Sequence, residues 1–479
     1  MSYDVVLKNV RVMDPRNHFD GITDIGIADG KIASVGGGVE CAGQAVIDLS
    51  GKTAVPGVID LHTHLARSDL KEAPFIDMAR GGTVTALELS GPPEVVFDNV
   101  ARYGTGMNVA VLNTAVPGRS LAGRKAGTAE IAAFVEKSLV GGSYGVKILG
   151  GHYPFEPDTT HDIIRQTNKA KAYVAYHVGT TATGSNLLGI KEAVEMSRDC
   201  HMQVCHVNGA LRGHILGDRL LEVREAMAAI SSATNIVSES LLSEMSSDGA
   251  RCVDGLPASM VVRASLKLMG FAPTQDGLRE AIAGGPVRVI VLREGQLVLI
   301  GGKEAAEAWE KAGTNISMVS PLNPRDLALI CATYKDKDGR FIVDAIASDA
   351  GGCPRNVNVT YGLALVRFGA LTLEELVVKV ADNPARILGL ANKGHLGKGA
   401  DADITFLDLD KGVPCMSMVC GKVIMKDGEV LGKKGTVITT PAGQEAVRKT
   451  GLDCIVNEPE KGWLYTPKPD RYGVQAAGS

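Results

Sequence analysis

Hydrophobic positions follow two periods along this chain, and the period changes twice. The first fifty residues read as short strands of period two, over 5–13, 25–28, 31–35 and 45–49. Asp29-Gly30 between the second and third is a hairpin signal, because both positions of a tight turn need a positive φ. The same texture returns at the far end. Residues 403–407 alternate, and 419–425 faces Glu429-Val430 across Asp427-Gly428. Two β-rich ends around a long middle predict one small β-sandwich built from both termini. Two unrelated β appendages are the alternative.

The middle has another rhythm. Short apolar runs over 53–60, 83–89, 108–114, 145–149, 172–176, 203–205, 235–237 and 342–347 alternate with helical patterns. In the helix predicted over 128–139, Ile131, Phe134, Val135 and Leu139 share one face, and Gly141-Gly142 ends it. Thr372 and Glu375 form a capping box for a helix through Val380, and Asn383-Pro384 restarts a short one. Eight apolar strands, each followed by a crossover, predict an α/β chain with a closed (β/α)8 TIM barrel. The expected division is 1–52 as the N-terminal part of the sandwich, 53–395 as the barrel, and 396–479 as the C-terminal part of the sandwich plus a tail. About a hundred residues, 240–340, interrupt the alternation before the last strand. Within them 287–292 and 297–300 read as a hairpin and 303–311 as a helix. Such an insertion emerges on the face where βα loops gather. A cover over a substrate and a surface or oligomerisation element are equally good readings of it.

Composition narrows the picture. At 479 residues with 45% apolar residues, the chain can bury a large core. A net charge of −4 gives no footprint for nucleic acid or an anionic membrane. No apolar run is long enough to span a bilayer, and the first residues lack the basic and apolar regions of a signal peptide. Nine cysteines without a framework spacing point to reduced thiols and a cytoplasmic protein. The expected partner is a small-molecule substrate.

The candidate chemistry lies at the ends of the predicted strands, where barrels collect it. His62 and His64 are two apart at the end of strand one, so both imidazoles point the same way. Lys147 is on strand four in YGVKILGG. His177 ends strand five in AYHVGT, His206 ends strand six in QVCHVNG, and Asp349 ends strand eight in IASDAGG. Four histidines and a carboxylate suit a borderline metal such as zinc. Singly, each has a plain alternative: a core histidine at 177, or a helix N-cap at 349. Cys205 precedes His206, and alternation sends its side chain to the other side of the strand, into the core. An ammonium at Lys147 would be repelled by nearby cations. A carbamate, formed from its neutral amine and CO2, supplies two anionic oxygens able to bridge two ions. A lysine paired with Glu88 or Glu239 is the alternative.

PGVIDLHTHL, the His177 and His206 strand ends, SDAGG, NPARILGL from Asn383 and LGKGADADITFLD from Leu396 together resemble the amidohydrolase superfamily over nearly the whole chain. A lysine on strand four resembles its binuclear branch, which holds dihydropyrimidinases, hydantoinases, dihydroorotases and isoaspartyl dipeptidases. YHVGT and HVN look closest to the isoaspartyl dipeptidases. The length and the insertion before Asp349 look more like N-acyl-D-amino-acid deacylases. Two carboxylate-binding arginines of these relatives are displaced: Gly209 follows HVN, and Ala66 stands two residues after His64, with Arg67 one later. This tells against acidic dipeptides and orotate-like rings.

The resemblance implies a homo-oligomer and two divalent ions, zinc or manganese, held by His62, His64, carbamylated Lys147, His177, His206 and Asp349. It implies hydrolysis by metal-activated hydroxide, with Asp349 taking the proton and passing it to the leaving nitrogen. The expected substrate is a small cyclic amide, imide or ureide. The alternatives are N-acyl-amino-acid deacylation or isoaspartyl-dipeptide cleavage, then ring-amine deamination or a non-catalytic scaffold. His152, Tyr153, Asn208 and Arg212 are candidates for holding substrate, and each has an equal structural reading.

Overall fold

The computed structural model describes residues 3–36 and 43–468. Strands β1 (Tyr3–Asp14), β2 (Phe19–Ala28), β3 (Lys31–Val35), β4 (Gly43–Asp48) and β5 (Thr53–Pro56) open the chain. Seven barrel strands follow: β6 (Val58–Thr63), β7 (Thr83–Glu88), β8 (Thr105–Ala115), β9 (Gly145–Leu149), β10 (Tyr173–His177), β11 (Met202–Val204) and β12 (Ile236–Leu241). The insertion carries β13 (Ser246–Gly249), β14 (Cys252–Val253), β15 (Leu256–Pro257), β16 (Arg288–Arg293), β17 (Gln296–Ile300) and β18 (Ser317–Ser320). The eighth barrel strand is β19 (Ala345–Ala347). The chain then runs through β20 (Ile404–Asp408), β21 (Val413–Val419), β22 (Lys422–Lys426), β23 (Glu429–Val430), β24 (Lys434–Thr439) and β25 (Asp453–Val456).

Both ends meet in one sheet of order β23-β22-β21-β20-β5-β1-β2-β3, with β4 on β1. Phe406 of β20 lies opposite Ala54 of β5, which joins the two termini. A bulge at Asn9, whose φ is 58°, shifts the register of β1 and brings Val10 and Val12 into line with Leu7. These three pack with Ile25, Ile404 and Phe406 in the core of the sandwich. Asp29-Gly30 and Asp427-Gly428 all take positive φ, as their hairpins require.

The barrel strands run parallel in chain order, and the ring closes where Thr63 bridges Ala350 beyond β19. His62 O there accepts the Asp349 amide at 2.9 Å, and the His64 amide reaches Ala350 O at 2.8 Å. Ile59, Leu61, Leu112, Tyr173 and Val237 fill the interior. Ile131, Phe134, Val135 and Leu139 pack inward from the helix Thr128–Val140, as their spacing predicts.

Three expectations change. The run over 53–60 is two strands in two sheets, divided at Gly57. A Cβ at Gly57 would lie 2.3 Å from Val84 Cγ2, so the turn from sheet to barrel has no room for a side chain. The helix after Thr372 keeps its capping box but gives way to a π-helical turn, Val378–Asp382, just before the helix holding Pro384. The C-terminal part divides as well. β20–β23 enter the sandwich sheet, but β24 pairs in parallel with β8 (Val437 beside Val109), and β25 pairs with β24. The first half of β8 thus meets β24, while its second half meets β9 from Leu112 onward. The C-terminus is wedged into the barrel wall, where Ile438, Trp463 and Leu464 join the interior cluster. The tail from 469 lies outside the described residues.

The insertion is a four-stranded antiparallel sheet, β13-β18-β16-β17, with its own core around Val262, Leu278, Trp309 and Met318. β13 starts just beyond the end of β12, which places this unit at the C-terminal face of the barrel. No helix among the described residues is long and apolar enough to cross a membrane.

Candidate active site

A cavity of about 380 Å³ opens at the C-terminal ends of the barrel strands, and His62, His64, Lys147, His177, His206 and Asp349 all line it. β6 carries the first two. His64 Nε2 is 2.7 Å and His62 Nε2 3.4 Å from the same Asp349 oxygen, Oδ1. Two imidazole nitrogens and a carboxylate oxygen, all within 4.8 Å of one another, form a donor set that fits a divalent ion. His177 stands edge-on to His206 with ring centres 4.4 Å apart, and His206 stacks on His62 at 5.1 Å. Burial holds His62 and His177 well below the ordinary imidazole range and His206 down to about 3, so their rings are neutral and able to ligate.

Alternation alone does not deliver two of these side chains. On β11, Val204 packs outward against the helices and Cys205 points into the barrel interior. His206 should then face out. Its backbone takes φ 29°, ψ 62° instead and swings the ring into the cavity. Asp349 has φ 53°. Non-glycine residues in this region cost about 1–3 kcal/mol each and persist where the surroundings enforce them. The placement of Cys205 is therefore corrected: it is buried but inward, and its Sγ lies 2.8 Å from Lys147 Nζ. Burial pushes that thiol up to about 12, so it is a neutral neighbour. Lys147 is fully buried. Among the described residues it forms no ion pair: Glu239 turns to His62 and the His206 amide, and Glu88 to Ser90 and the Leu65 amide.

Two supporting roles escape sequence reasoning, which offers Glu239 only as a partner for Lys147 and does not single out Arg355. Glu239, within β12, is 2.8 Å from His62 Nδ1 and accepts the His206 amide at 2.8 Å. It thus orients two neighbouring histidines, as a carboxylate behind a ligating imidazole does. Burial pushes it up to about 8. Its place toward the end of strand seven was a usable signal. Arg355 is buried behind Asp349. Its Nη2 pairs with Asp349 Oδ2, its Nε donates to Asp349 O at 2.7 Å, and its Nη1 to Met245 O at 2.6 Å. Burial works to raise the Asp349 pKa, but Arg355, His62 and His64 outweigh it and hold the carboxyl well below its usual range.

The candidates for substrate contact divide. His152 and Tyr153 line the cavity. His152 Nδ1 is 2.9 Å from Ser259 Oγ and 3.3 Å from Asp248 Oδ1. Asn208 does not reach the cavity. It donates to Leu241 O at 3.0 Å and accepts the Leu241 amide at 2.9 Å, which fixes the end of β12. Arg212 lies behind, in a smaller recess, with Nη2 3.4 Å from Ser246 Oγ and 3.3 Å from Asn323 Oδ1. Arg67 does line the cavity, held by Asp69 at 2.6 Å and by Ser317. Ser247, Asp248, Ser259 and Ser317 all come from the insertion, which therefore forms one wall of the cavity.

The model of the amidohydrolase family matches residues 53–443. A dihydroorotase of Elusimicrobium minutum (strain Pei191) is 26% identical over 433 residues, covering 85% of this chain and 88% of that protein. An L-hydantoinase of Paenarthrobacter aurescens is 23% identical over 496 residues, with 90% and 97% covered. Among solved structures, an N-acyl-D-glutamate deacylase from Bordetella bronchiseptica, complexed with zinc and a phosphonate inhibitor, superposes with a TM-score of 0.67. It is 16% identical and covers 91% of this chain and 99% of its own.

Proposed function

The chain belongs to the amidohydrolase family, hydrolases of carbon–nitrogen bonds other than peptide bonds, and from that premise we propose that it opens a small cyclic amide, imide or ureide. The observation that carries this is the convergence of four histidines, one carboxylate and a buried lysine that forms no ion pair among the described residues on a single cavity. We assign His62, His64 and Asp349 to one divalent ion, zinc or manganese, and His177 and His206 to a second. Lys147, as a carbamate, would help to hold both. A buried amine without a counter-anion is costly, and conversion to a carbamate beside two cations relieves that cost. When bound, such ions supply Lewis acidity toward the carbonyl and an acidified water.

The residues do the rest. Asp349 takes the proton of the attacking water and hands it to the leaving nitrogen. Arg355 holds Oδ2 of Asp349 and so aims Oδ1 at His62 and His64. Glu239 fixes His62 with Nε2 toward the cavity. A volume of about 380 Å³ suits one small ring. The names of the two relatives, dihydroorotase and L-hydantoinase, favour rings over open-chain amides. Reduced cysteines suit a cytoplasmic enzyme.

The test is metal analysis together with a hydrolysis screen of hydantoins, dihydropyrimidines, lactams and N-acyl-D- and L-amino acids. About two equivalents of metal per chain and turnover of rings are expected. Turnover of N-acyl amino acids alone would move the chain to the deacylases. A metal-free protein indifferent to chelation would sink the metal mechanism.

A further inference from the structure

We infer that His152 is a specificity residue that accepts a hydrogen bond from a ring N–H of the substrate, and that Asp248, from the insertion, is the positioning residue that prepares it. This rests on the cyclic-amide reading above. Asp248 sits on β13 with its side chain 1% exposed, and it lines the cavity. Its Oδ2 has Ser246 Oγ at 3.4 Å, but its Oδ1 has no hydrogen bond. The polar atom facing Oδ1 is His152 Nδ1, 3.3 Å away. A buried carboxylate oxygen without a donor is costly. A proton on Nδ1 answers it, and no other ring atom can.

Ser259 Oγ lies 2.9 Å from the same Nδ1 and accepts the Val262 amide; its hydroxyl can serve Nδ1 as donor or acceptor, so the Asp248 carboxylate, which can only accept, is what sets the proton on Nδ1. Both neighbours of Nδ1 come from the insertion, whereas His152 comes from the loop after β9. With the proton on Nδ1, a neutral imidazole keeps its lone pair on Nε2. Among the described residues no group is hydrogen-bonded to that atom. The ring stands edge-on to His177 at 4.6 Å, beside the proposed metal ligands. An acceptor with no partner at the wall of this cavity fits a substrate that brings a donor. Cyclic amides, imides and ureides bring an N–H next to the carbonyl, and their N-alkyl analogues do not.

The experiment compares 5,6-dihydrouracil with its 1-methyl and 3-methyl derivatives on the metal-loaded full chain, each rate normalised to that compound's hydroxide-catalysed hydrolysis. The parent ring should exceed at least one methyl derivative by about 100-fold or more in kcat/KM, toward the roughly 10⁴–10⁵-fold by which a site built for an N–H rejects an analogue lacking it. His152→Gln and Asp248→Asn should lower kcat/KM for the parent ring by about 10-fold or more, mainly through KM. They should bring the ratio toward one and leave metal content unchanged. A wild-type enzyme that opens all three rings equally overturns this inference and leaves the parent reading standing. Folded variants with the wild-type ratio overturn it too, as does loss of metal from His152→Gln, which would make Nε2 a ligand. A wild type that opens no ring overturns the parent reading and this one together.

Discussion

At the scale of single residues, the site depends on conformations that a sequence pattern does not encode. His206 and Asp349 both face the cavity because their φ values are positive. Period-two reasoning put His206 at the cavity and Cys205 in the core; the backbone brings both inward. Glu239→Gln should weaken metal binding about 10–100-fold, read by competition with a chelating dye, because it replaces the carboxyl group that holds His62 Nδ1 and the His206 amide. Lys147→Ala should abolish activity and leave at most one equivalent of metal by elemental analysis; an active variant would refute the bridge. Outside the site, Lys379 is fully buried, its Nζ donating to Val343 O at 2.7 Å over the Phe341 ring. Burial lowers its pKa from 10.5 to about 7. The unfolded chain therefore binds more protons between pH 7 and 10, and stability should rise with pH across that window. Lys379→Met should flatten the rise in denaturant titrations at pH 7 and pH 10, by on the order of a few kcal/mol at most.

At the scale of elements, all eight barrel strands were legible, because a buried parallel strand is a short apolar run and each crossover carries the helical period. The insertion hairpin was legible for a similar reason: Glu294-Gly295 takes positive φ at both turn positions. What could not be read was which sheet a strand would join. β24 is a short run, KGTVIT, whose partner is β8, far away in sequence, and no local pattern states a distant pairing. The division of 53–60 at Gly57 was missed because the run is apolar throughout. It is a matter of packing, and the packing can be tested. Gly57→Ala should destabilise the protein by about 1–3 kcal/mol in urea unfolding, since the added methyl meets Val84 and the Asp403 carbonyl.

At the scale of the whole molecule, metal and fold are linked, because ions that bind only the native site stabilise it by mass action. Dialysis against a chelator should remove activity and lower the Tm, and added zinc should restore both. The floor of the barrel adds a second link. Trp463 lies in the interior cluster, and Trp463→Ala should cost about 3–5 kcal/mol, a loss that calorimetry would detect in the main transition. The wedge of β24 and β25 also bears on how the protein is made. Ribosomes release roughly 5–20 residues per second, so β8 and β9 emerge tens of seconds before the strands that complete the wall between them. Until then the nascent barrel has an open seam with unpaired backbone on β8. A growing chain of this kind would need shielding by a chaperone late in synthesis, and a transcript cut short near its 3′ end would leave a product with every proposed metal ligand and the seam along β8 still open.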